Sequence, residues 1–178
     1  MALIERNEEP INQIIHQYEP SKRLTVFEGV RKTLPVSAFP SFEIEPTSGS
    51  TEWPVTRAQR PRFTFNCMLT VVNSNEDYGV EYLATLTTVL AHIMTDPTSL
   101  QLAIEDHVKF DPSKGIVTAY MLDSLVDSIT YNSIKEGTVR IAEFSWWVMV
   151  HEPYPDSKWM GGDDSQQISV TPQTVTFE

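Results

Sequence analysis

The chain has 178 residues, with 13 Lys and Arg against 24 Asp and Glu and a formal net charge of −11. A chain of this length can bury roughly 70% of its unfolded surface, so one domain with appendages needs no staples. The single cysteine excludes an internal disulfide, and the acidic balance argues against a protein that grips duplex DNA by its grooves. No stretch reaches the roughly 20 apolar residues of a membrane-spanning helix, and the acidic N-terminus does not read as a signal peptide. The default compartment is therefore the cytosol in which the chain is made.

In chain order, Ile11, Ile14, Ile15 and Tyr18 recur at helical spacing, with Pro10 suited to a first turn. Leu24, Phe27, Val30 and Leu34 lie roughly one turn apart and extend the helical reading, until Pro35 and Pro40 end it. The N-terminal helical region is thus expected over 1–38. Residues 41–46 and 62–72 read as strands, the second alternating Phe63, Phe65, Cys67, Leu69 and Val71 on one face. Between them, residues 47–61 make a long connection that holds Trp53 and the start of a basic run, Arg57, Arg60 and Arg62, with no acid among them.

The strongest helix spans 76–94. Ser74 or Asn75 can cap it, and Tyr78, Tyr82, Leu86, Val89, Leu90 and Ile93 form its apolar stripe. Asp96-Pro97 then predicts the cap and first residue of a second helix, with Leu100, Ala103 and Ile104 inward. Residues 116–131 read as strand or irregular with a turn at Asp123-Ser124, and Glu136-Gly137 is a hairpin signal. The last strand, 139–150, places Ala142, Phe144, Trp146, Val148 and Val150 on one face. Ile141, Glu143, Ser145, Trp147 and Met149 fall on the other. With both faces largely apolar, either helices cover both or another subunit covers one.

Residues 1–154 therefore read as one α+β domain, with a mostly antiparallel sheet, a long β-hairpin and two or three helices packed on it. Residues 155–178 read as an extended C-terminal tail. Its apolar groups, Ile168, Val170, Val175 and Phe177, are too few for a core of their own and predict docking as an added strand on a neighbouring subunit or partner.

Chemistry is sparse along the chain. There is no phosphate-binding Gly-Lys-Ser/Thr loop and no Gly-x-Ser-x-Gly elbow. The histidines His16, His92, His107 and His151 have no metal-ligand spacing among them. Glu105-Asp106-His107 reads as a polar helix end, Asp123 and Asp127 as turn residues, and Cys67 as a core thiol. No catalytic, cofactor or metal site is expected. The residues singled out are interface candidates: Trp53, Arg57, Arg60, Arg62, Trp147, Ile168, Val170, Val175 and Phe177. The arginine run can be a solvated loop, face a neighbour's carboxylates, or meet DNA phosphates.

The order of elements resembles the tail terminator proteins of long-tailed bacteriophages over roughly residues 24–152. The resemblance is carried by Leu34-Pro35, Phe39-Pro-Ser-Phe-Glu-Ile-Glu-Pro46, Glu52-Trp53 and the basic run to Arg62. It continues through the strand to Val72, the helix Tyr78 to Met94, Ile129-Thr-Tyr131 and Gly137-Thr-Val-Arg-Ile-Ala-Glu-Phe144. It implies an α+β subunit of a hexameric ring in the virion neck. That ring would stop growth of the tail tube and offer a surface to the head connector, with the sheath a further partner. DNA would pass through the lumen without specific binding, helped by an acidic bore. Other neck, head-completion or baseplate components, an adaptor that adds its tail to a partner sheet, and an enzyme of unknown chemistry stand as alternatives.

Overall fold

The computed structural model describes residues 2–29, 34–52, 58–73, 75–107, 120–134 and 138–153. Two helices, α1 (Ala2–Arg6) and α2 (Glu8–Tyr18), lead into a short strand β1 (Thr25–Glu28) and a 3₁₀ turn at Val36–Ala38. The hairpin of β2 (Ser41–Glu52) and β3 (Ala58–Val72) follows. Next come α3 (Glu76–Thr95), α4 (Pro97–His107), β4 (Tyr120–Ile134) and β5 (Val139–Pro153). The class is α+β. The strand order β1-β2-β3-β5-β4 is antiparallel throughout except for the parallel pair β1 and β2.

Residues directly opposite in an antiparallel ladder share a face. Phe42 pairs with Leu69 and Leu69 with Ala142, while Cys67 pairs with Phe144 and Phe65 with Trp146. This set, with Val148 and Val150, meets Ile11 and Ile15 of α2 and Tyr82, Leu83, Leu86, Leu90, Ile93 and Met94 of α3 in one buried cluster. Burial pushes the Cys67 thiol up to about 12, as suits a packed apolar thiol rather than a nucleophile. Tyr18 stacks on Tyr82 at 4.8 Å between ring centres and ties α2 to α3.

The expected caps are formed. Asn75 accepts from the Tyr78 N–H at 3.2 Å, and Asp96 accepts from the Ser99 N–H at 2.8 Å. A hydrogen bond from the Ser99 side chain, joined by that backbone bond, holds the Asp96 carboxyl below its usual range. At the other end of α3 the Met94 carbonyl is one of the four that a helix terminus leaves unpaired. It accepts from Trp146 Nε1 at 3.0 Å and from Ser124 Oγ at 2.7 Å, and Trp146 Nε1 also donates to Ser124 Oγ at 2.8 Å. One helix end is thereby fixed to the two last strands.

Three local expectations are corrected. Residues 24–29 do not extend the helices, because Thr25, Val26 and Phe27 add to the hairpin as β1, and Val30 lies outside the described residues. Gly29, at φ 82°, ends that strand in a conformation only glycine adopts without strain. Asp123-Ser124 is no turn, since β4 runs through it with a register shift between Met121 and Asp123. Tyr78 is 59% exposed rather than part of the buried stripe. The inner position of that helical turn belongs to Gly79, where a Cβ would collide with the Arg140 guanidinium. Arg140 is buried and donates to the Asn73 carbonyl at 2.8 Å, which pins the β3–α3 junction to β5.

Candidate interaction surface

β4 forms a strand because Val126, Ile129, Thr130 and Tyr131 favour extended backbone. Its position is the outer edge of the sheet. One side pairs with β5 from Tyr120↔His151 to Ile134↔Val139, which makes the hairpin expected around Glu136-Gly137. The other side meets no strand among the described residues. At its start the Met121 N–H donates to Gln101 Oε1 of α4 at 2.8 Å. A second register shift, between Asp127 and Thr130, carries Ser128 at φ 58°. Such bulges sharpen the local twist of an edge.

Large exposed apolar side chains concentrate on this strand: Leu122, Leu125, Ile129, Tyr131 and Ile134 are all on β4, the last two about half exposed at 51% and 53%. Beside the strand, a groove of about 420 Å³ runs between β4 and the first half of α3. It is lined by Val80, Leu83, Ala84 and Tyr131, with Asn132, Ser133 and Arg140 as its polar part. Exposed Tyr78 and Val80 continue this apolar surface onto the helix. Exposed apolar side chains gathered on one strand and beside it mark a candidate place of contact.

The face of the sheet away from the helices is of a different kind. Trp147 lies there half-buried, beneath Arg62, whose guanidinium carbon is 4.3 Å from the ring centre. A cation over an indole face is attracted by the ring quadrupole, worth roughly 0.5–1 kcal/mol at an exposed site. Two of the interface candidates are therefore brought together within one chain. Nearby, Glu43, Glu45, Asn66, Met68, Glu143, Ser145 and Thr130 surround a shallow depression of about 550 Å³. Three carboxylates give it an acidic character, although Glu43 is itself buried and engaged.

The remaining predicted interface residues are not brought to a site. Trp53, Arg57, Ile168, Val170, Val175 and Phe177 lie outside the described residues, and Arg60 is placed only by its backbone, opposite Glu52 in the hairpin ladder. Asp123 and Asp127 share the open face but stand four residues apart, about 13 Å along the strand, too far to act as a carboxylate pair. Among the described residues no group of three or more His, Cys, Asp or Glu side chains is placed to hold a metal ion. No described helix is long and apolar enough to cross a membrane.

What sequence reasoning missed is the character of β4. Its pattern was legible as strand, but whether Leu125 and Tyr131 are covered depends on which strand lies outermost, and strand order is not encoded in periodicity. Arg140 and Ser124 were missed for a related reason. A lone Arg or Ser in a strand becomes structural only through the helix end it meets.

No protein-family model matches the chain, and no curated protein matches it in sequence. Among solved structures, a chain in the virion of a native gene transfer agent particle aligns over 84% of this chain and 92% of its own length. The TM-score is 0.44 and the identity 6%. A likeness of that strength fixes neither fold nor function.

Proposed function

We propose that the chain is a structural subunit of a phage-type virion, a tail terminator whose copies close into a ring of six at the head-proximal end of the tail tube. The role is assembly rather than catalysis. The partners are further copies of the chain, the tube protein below, the head connector above and, where a sheath exists, the sheath. The observation that carries the reading is the outer edge of β4, which has no strand partner among the described residues and bears exposed apolar side chains, with its adjoining groove. A long exposed apolar edge is an aggregation hazard that a protein retains when a partner covers it. The resemblance of residues 24–152 supplies the kind of assembly.

A ring needs two different complementary surfaces on each copy, since head-to-tail contacts close only by rotation. The β4 side is one. The hairpin end that carries Arg57, Arg60 and Arg62 is the second, directed at a neighbour's carboxylates. Trp53 belongs to the same contact, and Trp147 holds Arg62 in place. The acidic open face, turned to the bore, would let DNA pass without adhering.

The test is a mass measurement and negative-stain images of the purified chain beside a Leu125→Lys/Tyr131→Lys variant. The wild type is expected as closed rings of six and the variant as folded single copies. A wild type that stays single at high concentration, even with tail tube present, overturns the ring and favours the adaptor reading.

A further inference from the structure

We propose that the outer edge of β4 receives the C-terminal segment 165–177 of a neighbouring copy as an added strand. This rests on the ring reading and names what covers that edge. The edge offers backbone groups with no strand partner among the described residues, over a strand of 15 residues. An added strand gains its affinity from such groups and its specificity from pockets for alternate side chains. The groove of Val80, Leu83, Ala84 and Tyr131 is a pocket of this kind, and it lies along the helix-facing side of β4.

The segment fits in composition. From Ser165 to Phe177 it carries no charge, so it can approach a strand that bears Asp123 and Asp127 without repulsion. Ile168 and Val170 are two residues apart and project to one face of an extended chain, while Val175 and Phe177 project to the other. The first pair enters the groove beside α3. The second pair lies on the open face, where Leu125 is exposed.

Pro172 sets the hydrogen-bonding side. A proline is tolerated in an edge strand only where its missing N–H would point outward. In an extended chain that puts Ser169, Thr171 and Gln173 on the side that bonds to β4, with Pro172 directed away.

The connecting chain is long enough. β5 ends at Pro153, with His151 opposite Tyr120 at the start of β4. Some 14 residues separate that point from Ile168, which extended span at most about 45–50 Å. A domain of this size has a radius of gyration of about 15 Å, so a neighbour in contact is within reach.

Cross-linking in the full-length protein tests the proposal. One preparation carries Ser133→Cys, at an exposed lining position of the groove, and a second carries Val170→Cys. They are mixed under assembly conditions with a short bismaleimide, and ring formation is followed by mass on the same samples. Cys67 is buried, with its thiol pushed up to about 12, and stays out of the reaction.

A covalent pair joining the two different variants is expected wherever the two meet in the right order in a ring, and is absent from either variant alone. Rings without this cross-link overturn the docking and leave the ring reading intact. The cross-link without rings supports docking between copies and contradicts the ring reading. A chain carrying both cysteines that links only to itself at high dilution, with no product in the mixture, overturns the assignment to a neighbour.

Discussion

At one end of the sheet, β1 is four residues long, pairs in parallel with β2 and stops at Gly29. At the other end, β4 runs for 15 residues with five large apolar side chains exposed along it. Proteins usually protect a sheet edge by shortening it, charging it or covering it. β1 follows the first of these. β4 is twisted by two bulges, bears Asp123 and Asp127, and has one N–H covered by Gln101, but its outer side meets no further strand among the described residues. Among the described residues the same sheet therefore ends in a short strand on one side and in a long strand with exposed apolar side chains on the other.

That contrast can be broken from the covered side of β4 and β5. Trp146 joins the core, stacks on Phe65 at 4.9 Å between ring centres and holds the end of α3. Trp146→Ala is expected to cost about 3–5 kcal/mol in urea unfolding, because it leaves a large cavity and strips the Met94 carbonyl of a donor. A loss below 1 kcal/mol would mean that β4 and β5 are not fastened to α3 as described. The contrast can be sharpened by a smaller change. Gln101→Ala removes the acceptor of the Met121 N–H and lengthens the bare edge at its start. A loss of about 1 kcal/mol is expected, together with faster amide exchange at Met121. Unchanged exchange there would show that Gln101 does not protect the edge.

Much of the fold was legible in the sequence. The hairpin, the two long helices and their caps at Asn75 and Asp96 follow from alternation, 3.6-residue periodicity and side-chain oxygens that accept early helix N–H groups. The alternation of 139–150 put Trp146 and Trp147 on opposite faces, and the structure buries Trp146 in the core. The failures came where local pattern and tertiary context disagree. Leu24, Phe27, Val30 and Leu34 keep helical spacing, yet Thr25 to Glu28 pair with β2 because a strand edge was available there. Tyr78 has the spacing of its stripe, yet the Arg140 guanidinium packs against Gly79 and the tyrosine stays outside. Of the interface candidates, Arg62 and Trp147 proved to be partners within one chain, a pairing across β3 and β5 that no spacing in the sequence announces. The apolar edge of β4 was hidden for the same reason, since exposure depends on strand order.

Amide hydrogen exchange of the wild-type chain, followed across a dilution series, tests the central claim most directly. If the edge of β4 is the seat of assembly, those amides of residues 122–134 that do not bond to β5 are protected at high concentration. They lose that protection on dilution, while those of β2 and β3 stay slow throughout. Exchange of those β4 amides that is equally fast at every concentration, in a sample whose mass shows assembled rings, would contradict the account.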